Sequence, residues 1–275
     1  MTGTSHNIQQ EIEHTHSLTA EPIFYIGNFA ITNSLLNSWL VVIIIIIISL
    51  KIKRNIQIIP GKLQNFFEAI IEFFLEFFDS ITGSREKSLK FFPFIFAFFL
   101  FIVLSNWMGL LPGVGSIGKV IEENGHLVFV PFFRGGTADL NSTLALAIIG
   151  VVTSHIVGVA SIGIWNHLNK FINIKAILEI PRKIKEDKTV IMVNPIKALA
   201  SLLEIITEIA KVVSLSFRLF GNIFAGEVLL ASMAAILAFG LPIPFMFLEV
   251  LVGFVQALVF ALLVLSYLVM STEKH

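Results

Sequence analysis

Six consecutive isoleucines, Ile43 to Ile48, lie near the end of an uncharged apolar stretch, Ile31–Leu50. A β-branched run of this kind suits a strand, but a lone strand in lipid leaves its backbone N–H and C=O groups unpaired. Helix is the conformation that satisfies them. Crossing a hydrocarbon core about 30 Å thick takes about 20 mainly apolar residues in a helix. Four further stretches are long enough: Phe91–Leu111, with no charge; Leu144–Trp165, with His155 as its one titratable group; Pro195–Phe239, overlong and interrupted by charges; and Phe245–Met270, which carries Glu249 and Gln256. The expected fold is an all-α integral membrane protein of about five transmembrane helices, the last two long and strongly tilted.

Composition agrees. Of the 275 residues 56% are hydrophobic and only 14% charged, against about 25% charged in soluble domains. There is no cysteine and therefore no disulfide scaffold. The formal net charge is zero, so no basic footprint for nucleic acid is present.

The position of the charges says more than their sum. Lys51, Lys53, Arg54, Lys62, Arg85, Lys87 and Lys90 fall between the first two crossings. Lys170, Lys175, Arg182, Lys183, Lys185, Lys188 and Lys197 fall between the third crossing and the start of the fourth. The loop 112–143 has only Lys119 and Arg134, and the first 30 residues have no Lys or Arg. Basic loops stay inside, so residues 1–30 are expected as a polar tail outside and the C-terminus inside, with 31–275 as a single membrane domain. That tail lacks the basic start of a signal peptide.

Residues 62–82 read as an amphipathic helix lying on the inner interface. Glu68, Glu72, Glu76 and Asp79 make one stripe, and Phe, Ile and Leu fill the rest. Interfacial helices usually carry Lys and Arg, so an acidic face points to a protein partner; a merely solvated face is the simpler alternative. No internal repeat stands out, which weighs against a transporter built from inverted repeats.

Charges inside the apolar segments demand more explanation. A charge at mid-membrane costs a few kcal/mol, so it faces protein or a water-filled cavity. At 100° per residue, Glu204, Lys211, Ser214 and Asn222 lie within about 40° of Arg218, and Glu208 at about 80°. Glu227 falls about 180° away and must address another environment. A continuous helix over 195–239 would be about 65 Å long, so it must tilt, bend or lie partly in the interface, with Gly221 and Gly226 available to relax it. For Glu204, Glu208 and Lys211 the alternative is an ion-pair ladder that eases insertion. For Arg218 it is snorkelling to the interface, against which stands the apolar run that follows it. Glu249 and Gln256, seven residues apart, share one face of the last helix.

These residues resemble a known family. The run Ser214-Leu-Ser-Phe-Arg-Leu-Phe-Gly-Asn222, continuing Ile-Phe-Ala-Gly-Glu227, is similar to the signature of subunit a of F-type ATP synthases. Asn106-Trp-Met-Gly-Leu-Leu-Pro112, Thr137-Ala-Asp-Leu-Asn-Ser-Thr143 and Gln256-Ala-Leu-Val-Phe260 extend the similarity over most of residues 30–275. The resemblance implies a stator subunit that carries ions, the proton being the expected one, past a rotating c-subunit ring through two offset half-channels. It implies no catalysis by this subunit alone, no cofactor and no metal. Its implied partners are the c-ring, the peripheral-stalk b subunits, the remaining synthase subunits and the lipid bilayer. Arg218 matches the family's essential arginine, Asn222 and Glu227 its following polar positions, Glu249 the last-helix channel position and Gln256 the helix-contact glutamine. Glu204 matches the acid of the inner half-channel, while Asp139 and Asn141 fall near the outer mouth. Glu208, Lys211, Ser214 and His155 are secondary candidates. Some relatives place histidine at the last-helix position and an acid where Gly109 stands, so the outer path is expected to be wired differently, with Glu227 and Glu249 as a coupled acidic pair. A bacterial inner membrane is the expected location, with a plastid or mitochondrial inner-type membrane as the alternative.

Two other readings compete: a secondary transporter with Arg218 binding an anionic substrate, and a structural membrane anchor. Two motifs mislead. Gly113 to Gly118 fits G-x-G-x-x-G and, with Lys119, most of a phosphate loop, but Val120 replaces the required Ser or Thr and no strand precedes. A Gly-rich hairpin is the reading kept. His14 and His16 alone are weak metal ligands.

Overall fold

The computed structural model describes residues 20–54, 56–111, 113–114, 117–123, 126–171, 190–237 and 240–272. His14, His16, Lys175, Arg182, Lys183, Lys185, Lys188 and part of the Gly113–Gly118 motif lie outside them. Among the described residues there are seven α-helices: α1 (Asn33–Arg54), α2 (Lys62–Thr82), α3 (Arg85–Leu110), α4 (Leu140–Ile162), α5 (Ile164–Phe171), α6 (Val190–Ile236) and α7 (Pro242–Thr272). Two antiparallel hairpins, β1 (Pro22–Ile26) with β2 (Phe29–Thr32) and β3 (Gly118–Glu123) with β4 (His126–Pro131), complete it.

Five helices are long and apolar enough to cross a membrane: α1, α3, α4, the stretch Leu203–Ile236 of α6, and α7. The protein is a mainly helical integral membrane protein of the all-α class, its apolar spans helical as their pattern requires. Burial is inverted relative to a water-soluble domain. Ile43, Ile46 and Ile47 of α1 are half exposed, whereas Asn33, Ser34 and Asn37 on the same helix are fully buried. In water that arrangement would waste the hydrophobic effect, while lipid solvates the isoleucines and drives the amides and hydroxyls inward.

Helix ends differ from the apolar boundaries by several residues. α3 begins at Arg85, ahead of Phe91, and carries Pro93 in its interior. Charges mark the edge of the apolar core, not the end of the helix. α4 stops at Ile162, where Gly163 adopts φ +86° and a new helix, α5, begins. The chain before α1 also departs from a polar tail ending at residue 30. Residues 22–32 pair as a hairpin around Gly27 (φ +62°), because Ile23, Phe24, Tyr25 and Ile26 supply strand formers and the glycine supplies the turn.

The described residues sort into two compact units. One draws on Met1–Lys53, Leu100–Ser142 and Phe220–Gln256; the other on Arg54–Phe99, Thr143–Leu219 and Ala257–His275.

The first unit has a polar interior. Ser34 Oγ donates to the Gly136 carbonyl at 3.1 Å, Asn106 Nδ2 to the Gly253 carbonyl at 2.8 Å, and Trp107 Nε1 to the Val250 carbonyl at 3.0 Å. Thr137 Oγ1 donates to Asn106 Oδ1, and Lys119 Nζ ties β3 to the Ile23 carbonyl. A Cβ on Gly109 would stand 3.0 Å from the Gly135 Cα, so two backbones meet there with no room for a side chain.

The second unit is apolar and aromatic. α2 buries Phe74, Leu75 and Phe78 and leaves Glu68, Glu72 and Glu76 exposed. Phe74 meets Phe96 and Phe99 of α3 at 5.4 and 4.6 Å between centroids. Arg85 closes the α2–α3 corner on Glu72 at 2.8 Å and Asp79 at 3.0 Å. α3 stacks Phe98 on Phe260 of α7, and Gly150 lets α4 approach Val264 of α7.

Candidate functional site

In the first unit, α6 and α7 each carry a carboxylate to one cavity. Its lining is Glu227, Ile223 and Leu230 of α6, Glu249 of α7, Asn106, Gly109 and Leu110 of α3, and Gly135. The two glutamates expected from the sequence as an acidic pair thus line the same cavity. Glu249 is 7% exposed, and its Oε1 has no hydrogen-bond partner among the described residues. Its carboxyl lies against the backbone of Gly226, where a Cβ would overlap it. A side chain at position 226 would therefore displace the Glu249 carboxyl, so the glycine makes room for it, a role beyond the helix relaxation expected of Gly226.

Glu227 is held by Arg134, which comes from the segment after β4. Arg134 Nε and Nη2 lie 3.2 and 3.1 Å from Glu227 Oε2. The arginine is 8% exposed and sits 6.0 Å from the Phe224 ring centroid. In the sequence Arg134 counted only towards topology. The available signal was its setting: a lone cation between Phe132-Phe133 and Gly135-Gly136, just before the Thr137-Ala-Asp motif.

The same unit links α6 to α7 directly. Asn222 Nδ2 donates to Gln256 Oε1 at 2.7 Å, joining α6 to α7. Gln256 is buried and Asn222 exposed. Asp139 is 4% exposed and caps the start of α4, accepting from Asn141 N and Ser142 Oγ, each at 3.2 Å. Asn141 is exposed.

In the second unit, Arg218 stands on the exposed face of α6 and donates to Ser214 Oγ at 3.1 Å. It forms no ion pair among the described residues. Around it on the same helix Phe217 is 57% exposed and Val213 45%. One turn-group earlier, Glu208 pairs with Lys211 at 2.6 Å and lies 3.3 Å from His155 Nε2 of α4. Glu204 is partly exposed and joins no pair among the described residues, so of the alternative three-residue ladder only the Glu208–Lys211 pair is formed. No cluster of metal-ligating side chains occurs among the described residues.

Five apolar helices, an inverted burial pattern and carboxylates held within the spanning helices define the class: a multi-helix integral membrane protein that keeps charged groups inside its apolar segments. Residues 35–269 match the sequence model of the ATP synthase A chain, and the chain belongs to that family. It is 36% identical over 242 residues to ATP synthase subunit a of Desulfotalea psychrophila, covering 86% of this chain and 82% of the relative. With the subunit a of Syntrophobacter fumaroxidans it shares 31% over 262 residues, 94% of this chain and 92% of the relative. With that of Geotalea daltonii it shares 32% over 240 residues, 86% of each.

Proposed function

We propose that this chain carries protons across the membrane at the interface with the rotating c-ring of an F-type ATP synthase, coupling the gradient to ATP synthesis. The observation that carries the reading is Arg218: an exposed cation of α6, in line with exposed Ser214 and Asn222 and flanked by exposed Val213 and Phe217, with no carboxylate partner among the described residues. Such a charge needs its counter-ion from another protein, and a carboxyl on a ring subunit supplies one.

The physical sequence is direct. A ring carboxyl facing lipid must be neutral, because a carboxylate there is expensive. Beside Arg218 the opposite charge favours the ionised form, so the proton leaves through the inner half-channel. The ionised site stays in the polar interface until it is reprotonated from the outer half-channel, to which Glu227 and Glu249 belong. Since the half-channels do not meet, a proton crosses only if the ring turns. Arginine serves better than lysine because it cannot surrender its own proton. Each charge contributes about 2.3 kcal/mol per 100 mV.

In this reading the subunit catalyses nothing alone and works with the c-ring, the peripheral-stalk b subunits and the rest of the synthase. Residues 31–275 act as one membrane domain in a bacterial inner membrane, with the N-terminus outside and the C-terminus cytoplasmic.

The test is Arg218→Ala in the complete complex. The variant is expected to assemble, with the ring copurifying, and to lose ATP-driven proton pumping and ATP synthesis. An Arg218→Ala complex that still synthesised ATP would overturn the mechanism. Transport of an anion by the purified chain alone would favour the transporter reading instead.

A further inference from the structure

A second set of titratable side chains lies in the unit that carries Arg218, and the arginine mechanism does not use it. His167, on α5 beyond the end of the α4 span, puts Nε2 3.2 Å from Nδ1 of His155. His155 Nε2 in turn lies 3.3 Å from Glu208 Oε2, and Glu208 Oε1 accepts from Lys211 Nζ at 2.6 Å. Lys211 Nζ stands 5.0 Å from the Tyr267 ring centroid on α7. The groups facing His155 and Glu208 include His167 from α5, Lys211 from α6 itself and, behind Lys211, Tyr267 from α7. Three helices, α4, α5 and α6, meet on one hydrogen-bonded line, and α7 adjoins it through the Tyr267 ring.

The line is built in, not incidental. His167 is 5% exposed although it sits outside the apolar span. A Cβ on Gly158 would come within 2.8 Å of its ring and 3.0 Å of the Ser271 carbonyl, so only glycine leaves the ring its place. Gly163, at φ +86°, turns the chain so that α5 follows directly after α4.

We infer that His167, His155 and Glu208 form a proton relay running from α5 into the spanning helices, with Lys211 as the fixed counter-charge of Glu208. Imidazole with hydrogen-bond partners at both nitrogens takes a proton at one and releases a proton from the other. A proton passing from His167 Nε2 to His155 Nδ1 is matched by one leaving His155 Nε2 for Glu208 Oε2. His167 passes from imidazolium to neutral imidazole, Glu208 from carboxylate to carboxylic acid, and His155 keeps its count as the other tautomer. The reverse transfer runs by the same atoms. No co-reactant is needed. The relay would supply or drain the site at Arg218, so the inference rests on the proposed function.

The test uses the complete ATP synthase in inverted membrane vesicles, reading ATP-driven proton pumping and ATP synthesis beside copurification of the ring. Glutamine keeps hydrogen-bonding capacity but cannot pass a proton through itself. His155→Gln, His155→Leu and His167→Gln are each expected to slow pumping about tenfold or more with the complex intact. His155→Gln pumping at the wild-type rate would overturn the relay and leave His155 as a structural hydrogen bond, whatever His155→Leu does. If His155→Leu fails to assemble, the two glutamine variants decide. The outcomes separate from the Arg218 test: normal pumping by His155→Gln beside a dead Arg218→Ala removes the relay alone, whereas an active Arg218→Ala removes the function on which it rests.

Discussion

Arg134 directs both Nε and Nη2 to a single oxygen of Glu227, at 3.2 and 3.1 Å, from a site where the arginine is 8% exposed. Spending both nitrogens on Oε2 leaves Glu227 Oε1 beside Gly135, which also lines the cavity shared with Glu249. The pair thus fixes where one carboxylate of the cavity points.

Breaking a buried pair by removing one partner leaves an uncompensated charge, at about 3–5 kcal/mol. Arg134→Leu is expected to lower the thermal stability of the purified complex and to reduce proton pumping severely. Arg134→Leu with Glu227→Gln should recover part of the stability, because both charges are then gone. Equal stability of Arg134→Leu and the wild type in a thermal melt would show that the pair carries no weight.

Gly226→Ala tests the cavity from the other side. Alanine improves helix propensity by about 1 kcal/mol over glycine, yet its Cβ would occupy the place of the Glu249 carboxyl. The variant should fold and assemble but pump poorly. Adding Glu249→Asp, one methylene shorter, should restore part of the rate. Normal pumping by Gly226→Ala would show that the position of Glu249 does not matter.

The Asn222–Gln256 hydrogen bond is short, at 2.7 Å, and joins two spanning helices. Such bonds in membranes are worth about 0.6 kcal/mol on average and up to about 1.7. A double-mutant cycle with Asn222→Ala and Gln256→Ala, read by unfolding of the purified subunit complex, should give a coupling in that range. A coupling of zero would assign both residues to the protein partner alone.

At the α2–α3 corner, backbone should outweigh charge. The Arg85 pairs with Glu72 and Asp79 are exposed, and surface pairs contribute about 0–1 kcal/mol. Gly83 ends α2 at φ +71°, with its N–H 3.0 Å from the Asp79 carbonyl and open space around its Cα. A left-handed residue other than glycine costs about 1–2 kcal/mol. Gly83→Ala should therefore destabilise the complex more than Arg85→Ala in a thermal melt, and the reverse order would refute this.

Much of the molecule was legible in one dimension. Five apolar runs gave five spanning helices because lipid forces every backbone group to pair within its own segment. The hairpin of β3 with β4 begins where the Gly-rich run 113–118 ends, whereas the amphipathic α2 followed from local pattern. Helix ends did not, since charges stop an apolar run but not a helix: α3 runs on to Arg85. Asp139, chosen as a polar residue near an outer mouth, also proved to cap α4, a role its position before an apolar run already allowed.

The sequence by itself determined the class, the family and the residues whose charge the membrane should have excluded, Arg218, Glu227 and Glu249 among them. Those conclusions need only composition, period and motif. Which of these groups meet was decided by tertiary structure. Arg134 lies 93 residues from Glu227 and His155 lies 53 from Glu208, and no local spacing encodes such a pairing. Only packed helices, admitted to close range by Gly109, Gly135, Gly158 and Gly226, bring a loop arginine to one carboxylate and two histidines to another. Burial makes each charge costly, and the fold alone determines which partner lowers that cost.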